Sequence, residues 1–337
     1  MTTISDVAAR AGVSRSTTSR VLNNSPRVDE QTRRRVLGAI AELRYAPSPT
    51  ARRLSLGRTW TIDVVASYLT RPQAIERLRG AEAVLGESAF DLVIHNVESP
   101  ERRERYLRSL PSANRTDGVL LLSLPPLAGN LAAVAGGPVP VVAVDVRDSA
   151  AGGLPVVRGD DDAGGAIVAR YLYSLGHRVI GYVADSFDNP FGFTSSRDRY
   201  TGFGDVLRDV GIEVQAALGA YGSRTARDLT IGLLTGPHAP TAIFAASDTQ
   251  ALGVLGAARD MGLQVPGDLT VVGYDDIAVA EPIGLTTIRQ HLFESGRIGA
   301  EMLLAEIKQR SADPPVVVLA PELVVRATSA PPREGRA

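Results

Sequence analysis

Arg15 and Arg20 stand five residues apart in "VSRSTTSRVLN", residues 13–23, among Ser14, Ser16, Thr17 and Ser19. A guanidinium presents a planar fork of donors that fits the two major-groove acceptors of guanine, and short hydroxyl side chains suit phosphate oxygens. That chemistry requires both arginines on the outer side of one helix. The i, i+4 pairs Thr17/Val21 and Thr18/Leu22 supply an inner side, which turns Arg15, Ser16, Ser19 and Arg20 outward. Small residues then let the helix approach a duplex closely. Ser14 is placed to cap it.

The elements needed to position this helix are legible around it. Thr3 and Asp6 have capping-pair spacing, and Ile4, Val7, Ala8 and Ala11 form one apolar stripe that Gly12 ends. Asp29 is a cap for a third helix with the stripe Thr32, Val36, Ile40 and Leu43. A helix, a tight turn containing glycine and a second helix make a helix-turn-helix, whose second helix enters the major groove. Arg33, Arg34 and Arg35 either reach phosphates or face water.

Charge agrees with this division. The chain of 337 residues carries a formal net charge of -1, yet residues 1–57 hold ten arginines against four acidic residues, +6, which leaves -7 for the rest. A basic head on an acidic body suggests that only the head meets a polyanion. No cysteine is present, which excludes disulfides and thiolate metal sites and fits a reducing cytoplasm. The N-terminus lacks an apolar run, and no stretch of about 18 apolar residues occurs, so neither secretion nor a membrane span is expected.

After the head, "YAPSPTARRLSLG" sets Ser48 as a cap and Pro49 at a first helical position, so Thr50 to Leu56 can form about two turns. A helix this short is marginal alone and needs a surface to fold against. Beyond residue 60, apolar runs such as "TIDVVAS", "DGVLLLS" and "PVVAVD" alternate with amphipathic helices, and a second such series begins near Val156. This predicts two doubly wound parallel sheets, two lobes with a cleft at the carboxyl ends of their strands. Tyr68, Phe187, Phe191 and Tyr274 are candidates for an aromatic platform, and the loop "SFDNPFGFTSS" needs something to pack on.

"TISDVAARAGVSRSTTSRVLN" resembles the opening of the lactose and galactose repressor family of bacterial transcription factors. The likeness continues through "SLGHRVIGYVAD", "RYTGFGDVLRDVGI", "AIFAASDTQALGVLGAARDMGLQVPGDLTVVGYDDI" and "LTTIRQ", and so covers nearly the whole chain. It implies that Arg15, Ser16 and Arg20 read base edges and that Ser14, Thr17 and Asn23 lie near phosphates. Residues 48–58 are similar to that family's hinge helix, with Leu54 as a minor-groove wedge beside Ala51 and Arg52 and Arg53 at phosphates. The body is similar to periplasmic sugar-binding proteins, and the resemblance assigns Arg199, Ser247, Asp275 and Gln290 to its ligand. Thr18 departs from the family's buried valine, and its hydroxyl must find a carbonyl or cost about 1–2 kcal/mol. Ser48 and Ser247 stand where the family generally has asparagine. Asp248 is expected to cap the helix that follows it.

Catalysis is not expected. The dispersed histidines 95, 177, 238 and 291 accompany no nucleophile elbow, and no phosphate-binding or dinucleotide glycine loop follows a strand. "RGDDDAGG" has Gly164 and Tyr171 where a calcium loop needs ligands. Asp275 and Asp276 are neighbours at a strand end and point different ways. No cofactor or metal is implied.

The expected architecture is an all-α helix-turn-helix head (1–47), a hinge helix (48–58), a bilobed α/β core (60–330) and a flexible tail (331–337). The first lobe is expected over 60–157 and 289–313, the second over 158–286 and 315–330. The expected function is a cytoplasmic, nucleoid-associated repressor, a homodimer or higher oligomer on near-palindromic double-stranded operator DNA, controlled by a small molecule, a carbohydrate, in the cleft. Two alternatives are a transport solute-binding protein, which would require secretion, and an architectural DNA protein without ligand control.

Overall fold

The computed structural model describes residues 2–22, 25–45, 59–109, 116–126 and 134–333. It divides into two compact units, Met1–Thr59 and Trp60–Ala337.

The first unit holds α1 (Ile4–Ala11), α2 (Arg15–Leu22) and α3 (Glu30–Glu42). Thr3 and Asp6 close a reciprocal capping box on α1, and Gly12 ends it at φ 65°, a left-handed conformation that favours glycine. Ser14 Oγ accepts the Thr17 amide at 3.1 Å, and Asp29 Oδ1 accepts that of Thr32 at 2.8 Å, so both later helices start on side-chain caps. Val7, Ala11, Val21, Val36 and Ala39 form the buried centre. Thr18 is fully buried there, and its hydroxyl donates to the Ser14 carbonyl at 3.2 Å, which satisfies the polar group that stands in place of an apolar one.

The second unit contains two parallel sheets. In the first lobe, β1 (Thr61–Ser67), β2 (Asp91–Val97), β3 (Gly118–Leu122), β4 (Val141–Val144), β5 (Val156–Gly159) and β11 (Val316–Leu319) lie in the order β11-β5-β4-β3-β1-β2. Helices α4 (Pro72–Leu85), α5 (Pro100–Ser109) and the single turn α6 (Asp148–Ala151) follow strands of this lobe. The second lobe orders β6 (Ile180–Asp185), β7 (Val214–Gly219), β8 (Ala242–Ala245) and β9 (Thr270–Val272) as β7-β6-β8-β9. It carries α7 (Asp161–Ser174), α8 (Ser195–Asp209), α9 (Ser223–Leu234) and α10 (Asp248–Asp260). Strands β1, β3 and β4 are wholly buried, as sheets covered by helices on both faces require.

The chain passes between the sheets three times: after β5, between β10 (Thr287–Arg289) and α11 (Leu292–Lys308), and between β11 and β12 (Glu322–Val324). Helix α11 packs on α4 and on β3 and β4 of the first lobe. The expected assignment of 315–330 to the second lobe is corrected here. Val316 to Leu319 pair in parallel with Val156 to Gly159, because β5 would otherwise leave its outer edge open; only later residues return, Thr328 accepting the amide of Val271 at 2.8 Å.

Two glycines set how α7 meets α8. A Cβ at Gly165 would stand 2.0 Å from the Arg199 carbonyl oxygen, and one at Gly202 would stand 1.9 Å from that of Asp162. The helices therefore touch backbone to backbone, which brings Asp161 and Asp162 beside Arg199 and Asp198.

Candidate functional site

The carboxyl ends of both sheets face one cleft with about 1040 Å³ of empty space, its open mouth included. Ser67, Ser123, Asp145 and Gly159 reach it from the first lobe; Asp185, Ala246, Ser247 and Asp275 reach it from the second. Four residues just past strand ends, Tyr68, Ser123, Asp145 and Asp275, hold φ of 46°, 48°, 60° and 119° without being glycine. Each such conformation costs about 1–3 kcal/mol and persists where surrounding structure fixes it, typically at sites. This local strain sits around the cleft.

A continuous polar chain forms the cleft floor. Ser67 Oγ donates to the Ser123 carbonyl at 2.6 Å, Ser123 Oγ donates to Asp145 at 2.7 Å, and Asp145 pairs with Arg77 at 3.0 Å. Arg77 donates to Gln290 Oε1 at 3.0 Å, and Gln290 Nε2 donates to Asp275 Oδ1. Arg199 Nη1 lies 3.9 Å from Asp275, while its Nε donates to Asp161 at 2.8 Å and Nη1 to the Ala246 carbonyl at 2.5 Å. Its guanidinium lies over the Tyr274 ring at 3.7 Å. Burial alone would weaken that charge, but Asp161, then Tyr274 and Asp275, raise the Arg199 pKa well above the ordinary arginine value.

Among the described residues this polar chain holds two buried atoms without a hydrogen-bond partner, Arg77 Nε and Asp275 Oδ2. Asp275 is 3% exposed. Burial pushes its carboxyl up to about 6, with Arg199 and then Arg77 pulling the other way. Asp275 lines the cleft, and an unclaimed buried acceptor on a cleft residue is a place for a ligand's donor. Asp276 turns away, holding Arg289 at 2.8 Å and Arg326 at 2.7 Å.

The residues expected to bind ligand divide. Arg199, Asp275 and Gln290 are brought together, each less than a tenth exposed and each lining the cleft. Ser247 lines it too, but its hydroxyl is the N-cap of α10, accepting the Gln250 amide at 3.2 Å. The expected capping role of Asp248 is thus corrected: Asp248 is fully buried and accepts from Ile277 N at 2.9 Å and from the Thr287 hydroxyl at 2.5 Å. Burial, and then the charge of Asp275, raises its pKa well above the usual carboxylate value.

Tyr68 and Phe187 are not among the residues lining the cleft, and Phe191 and Tyr274 are core. Phe187 packs on Tyr200 at 5.4 Å, and Tyr68 packs on Phe191 at 5.2 Å. Phe193 and Tyr221, neither singled out from sequence, are the aromatic residues among the described residues that line the cleft; Phe193 lies in the loop "SFDNPFGFTSS". It stacks on Phe191 at 5.2 Å and 9°. The loop that needed a surface has found one across the lobes: Phe191, 2% exposed, sits in the first lobe's core with Val65, Val97 and Leu107. Buried Arg103 of α5 donates to the carbonyls of Phe191 at 2.6 Å and Pro190 at 3.2 Å.

In the head, Ser14, Arg15, Ser16 and Arg20 are exposed and Thr17 half-buried, all on or beside α2. Arg33 is used within the head, donating to the Ser25 carbonyl at 2.7 Å. Asn23 and the expected hinge residues Ala51, Arg52, Arg53 and Leu54 lie outside the described residues.

Residues 3–48 match the bacterial regulatory proteins of the lacI family, and residues 169–329 match a periplasmic binding protein-like domain. The HTH-type transcriptional repressor PurR of Escherichia coli O139:H28 (strain E24377A / ETEC) is 31% identical over 334 residues, spanning 97% of this chain and 96% of that repressor. The chain belongs to the lacI family. A solved Lac repressor dimer bound to operator and the anti-inducer ONPF is similar to this lacI-family chain with a TM-score of 0.84 at 27% identity, covering 98% of this chain and 99% of that one. The regulator CelR in complex with cellobiose gives 0.69 at 31% identity, covering 97% and 100%. As a lacI-family member the chain is a bacterial transcriptional regulator, which sets aside the transport solute-binding alternative. No helix of the described residues is long and apolar enough to cross a membrane.

Proposed function

We propose that this lacI-family regulator is a repressor whose operator affinity is set by a small polyhydroxylated molecule held between its lobes. A homodimer presents two copies of α2 to a near-palindromic operator in the cytoplasm. Arg15, Ser16 and Arg20 read base edges, while Ser14, Thr17 and Asn23 meet phosphates. The segment 48–58 acts as the hinge, Leu54 wedging into the minor groove beside Ala51 and Arg52. Head 1–47 and body 60–330 divide these tasks.

Effector recognition falls to Arg199, Asp275 and Gln290. The observation carrying this reading is the unclaimed Oδ2 of Asp275, a buried acceptor at the meeting of both lobes and the crossover strand. A ligand that donates to it favours one lobe arrangement over another, and only such a difference in affinity can change operator binding.

A mobility-shift assay of the full chain against the DNA flanking its own gene tests the reading, run with and without sugars. A defined fragment should be preferred over bulk DNA, and at least one ligand should change that affinity. Equal affinity for all fragments would reject it.

A further inference from the structure

Arg71 lies at the start of α4 and lines the cleft. Its guanidinium carbon lies over two aromatic rings from opposite lobes, Tyr68 at 4.2 Å and Tyr221 at 3.8 Å. A guanidinium that lies over aromatic rings keeps its N–H donors for partners edge-on, in the plane where carboxylate and phosphate oxygens dock in pairs. Among the described residues no carboxylate lies within 4.0 Å of it. Three other cleft arginines are matched by carboxylates, Arg77 by Asp145, Arg147 by Asp162 and Asp198, and Arg199 by Asp161, while Arg158 donates to the Gly159 carbonyl at 3.1 Å. Arg71 therefore brings a positive charge and donors that no described carboxylate answers.

At the cleft floor the unmet group has the opposite demand. Asp275 Oδ2 needs a donor. A ligand that satisfies both ends carries hydroxyls at one end and an anion at the other. A neutral sugar would leave the rim charge facing only rings and water.

Resting on the cleft being the effector site, we propose that the effector is an anionic polyhydroxylated molecule, a sugar acid or sugar phosphate, whose acidic group is read by Arg71 inside the Tyr68–Tyr221 clamp. Because Tyr221 belongs to the second lobe, the clamp is complete only with the lobes together, so the anion also favours closure. Gln73 Nε2 donates to the Tyr221 hydroxyl at 3.3 Å, which fixes the second ring to the same helix start.

Calorimetric titration of the full chain with hexuronates, aldonates and hexose phosphates, each against its uncharged parent sugar, tests this. At least one acid should bind about 10- to 100-fold more tightly than its parent, as a charge-assisted pair of hydrogen bonds provides. That advantage should vanish in Arg71→Gln, survive in part in Arg71→Lys and shrink several-fold in Tyr221→Leu, with the melting temperature of each variant recording its fold. Whether the uronates or the phosphates hold the advantage identifies the acid group. No acid preferred over its parent, or a preference that persists in Arg71→Gln, overturns the proposal. Binding lost in Asp275→Asn but indifferent to Arg71 overturns this assignment alone; binding indifferent to Asp275→Asn lies outside the cleft and overturns the effector reading as well.

Discussion

Gln290 stands between Arg77 and Asp275, accepting from the guanidinium at 3.0 Å through Oε1 and donating to the carboxylate through Nε2. All three are nearly inaccessible, at 4%, 2% and 3% exposure, so one amide joins the buried charges of the two lobes. Its orientation is dictated by both partners at once, since only the amide oxygen suits a guanidinium and only the amide nitrogen suits a carboxylate.

Replacing Gln290 by Ala removes a donor and an acceptor that nothing else replaces. The loss should be about 2–4 kcal/mol of stability, because two buried charged groups each forfeit a bond. Chemical denaturation measures it; a change below about 0.5 kcal/mol would show that the bridge is dispensable.

Asp275 predicts a pH dependence with a definite sign. Its folded pKa of about 6 lies above the ordinary 3.8, so the native state keeps a proton that the unfolded chain has released between those values. The group therefore supports folding most below the lower value and withdraws that support as pH rises through the upper one. A ligand hydroxyl donating to Oδ2 prefers the ionised carboxylate, so affinity should rise roughly tenfold from about pH 5 to about pH 7. Calorimetric Kd values across that range should follow this curve, and Asp275→Asn should flatten it; a wild-type profile that falls with pH would show that the carboxyl donates instead.

Phe191 predicts a stability effect at a distance from its own sheet. Truncation to Ala empties a place in the first lobe's core and should cost about 3–5 kcal/mol, with Phe191→Leu recovering most of it. An unchanged denaturation midpoint would mean that the loop does not seat there in solution.

In the head, Arg20→Ala should relax base preference, whereas Arg34→Ala should weaken binding evenly across sequences and reduce its salt slope by about one. Arg34 is largely exposed and, among the described residues, is tied to Glu30 at 3.3 Å, so it has freedom to reach a phosphate. Equal losses on all sequences for both variants would refute the assignment of Arg20 to base edges.

Much of this was legible in the sequence because it is local. The Thr3–Asp6 box, the Gly12 stop and the Asp29 cap are spacing rules, and they hold in the fold. Alternating apolar runs and helices fixed the two parallel sheets for the same reason. What escaped is what depends on long-range pairing. The return of Val316 to Leu319 to the first sheet rests on an edge strand more than 150 residues away in sequence. Arg77 carries a signal of its own in the sequence: with Ala74, Ala81 and Leu85 it occupies the buried stripe of α4, a charge where an apolar residue belongs. Asp145, ending the run "PVVAVD", was a similar sign. Ser247 takes the cap expected of Asp248 because either can cap a helix, and only the burial of Asp248 against Thr287 decides between them.

The loop carrying Phe193 grows from the second sheet yet is rooted in the first, through Phe191 and the two carbonyls held by Arg103. Its cleft-lining ring is consequently not transplantable on its own. A chimera that imports residues 186–194 from a relative must import a matching socket around Leu107 and Arg103, or the grafted segment will hang unmoored and take its contribution to selectivity with it.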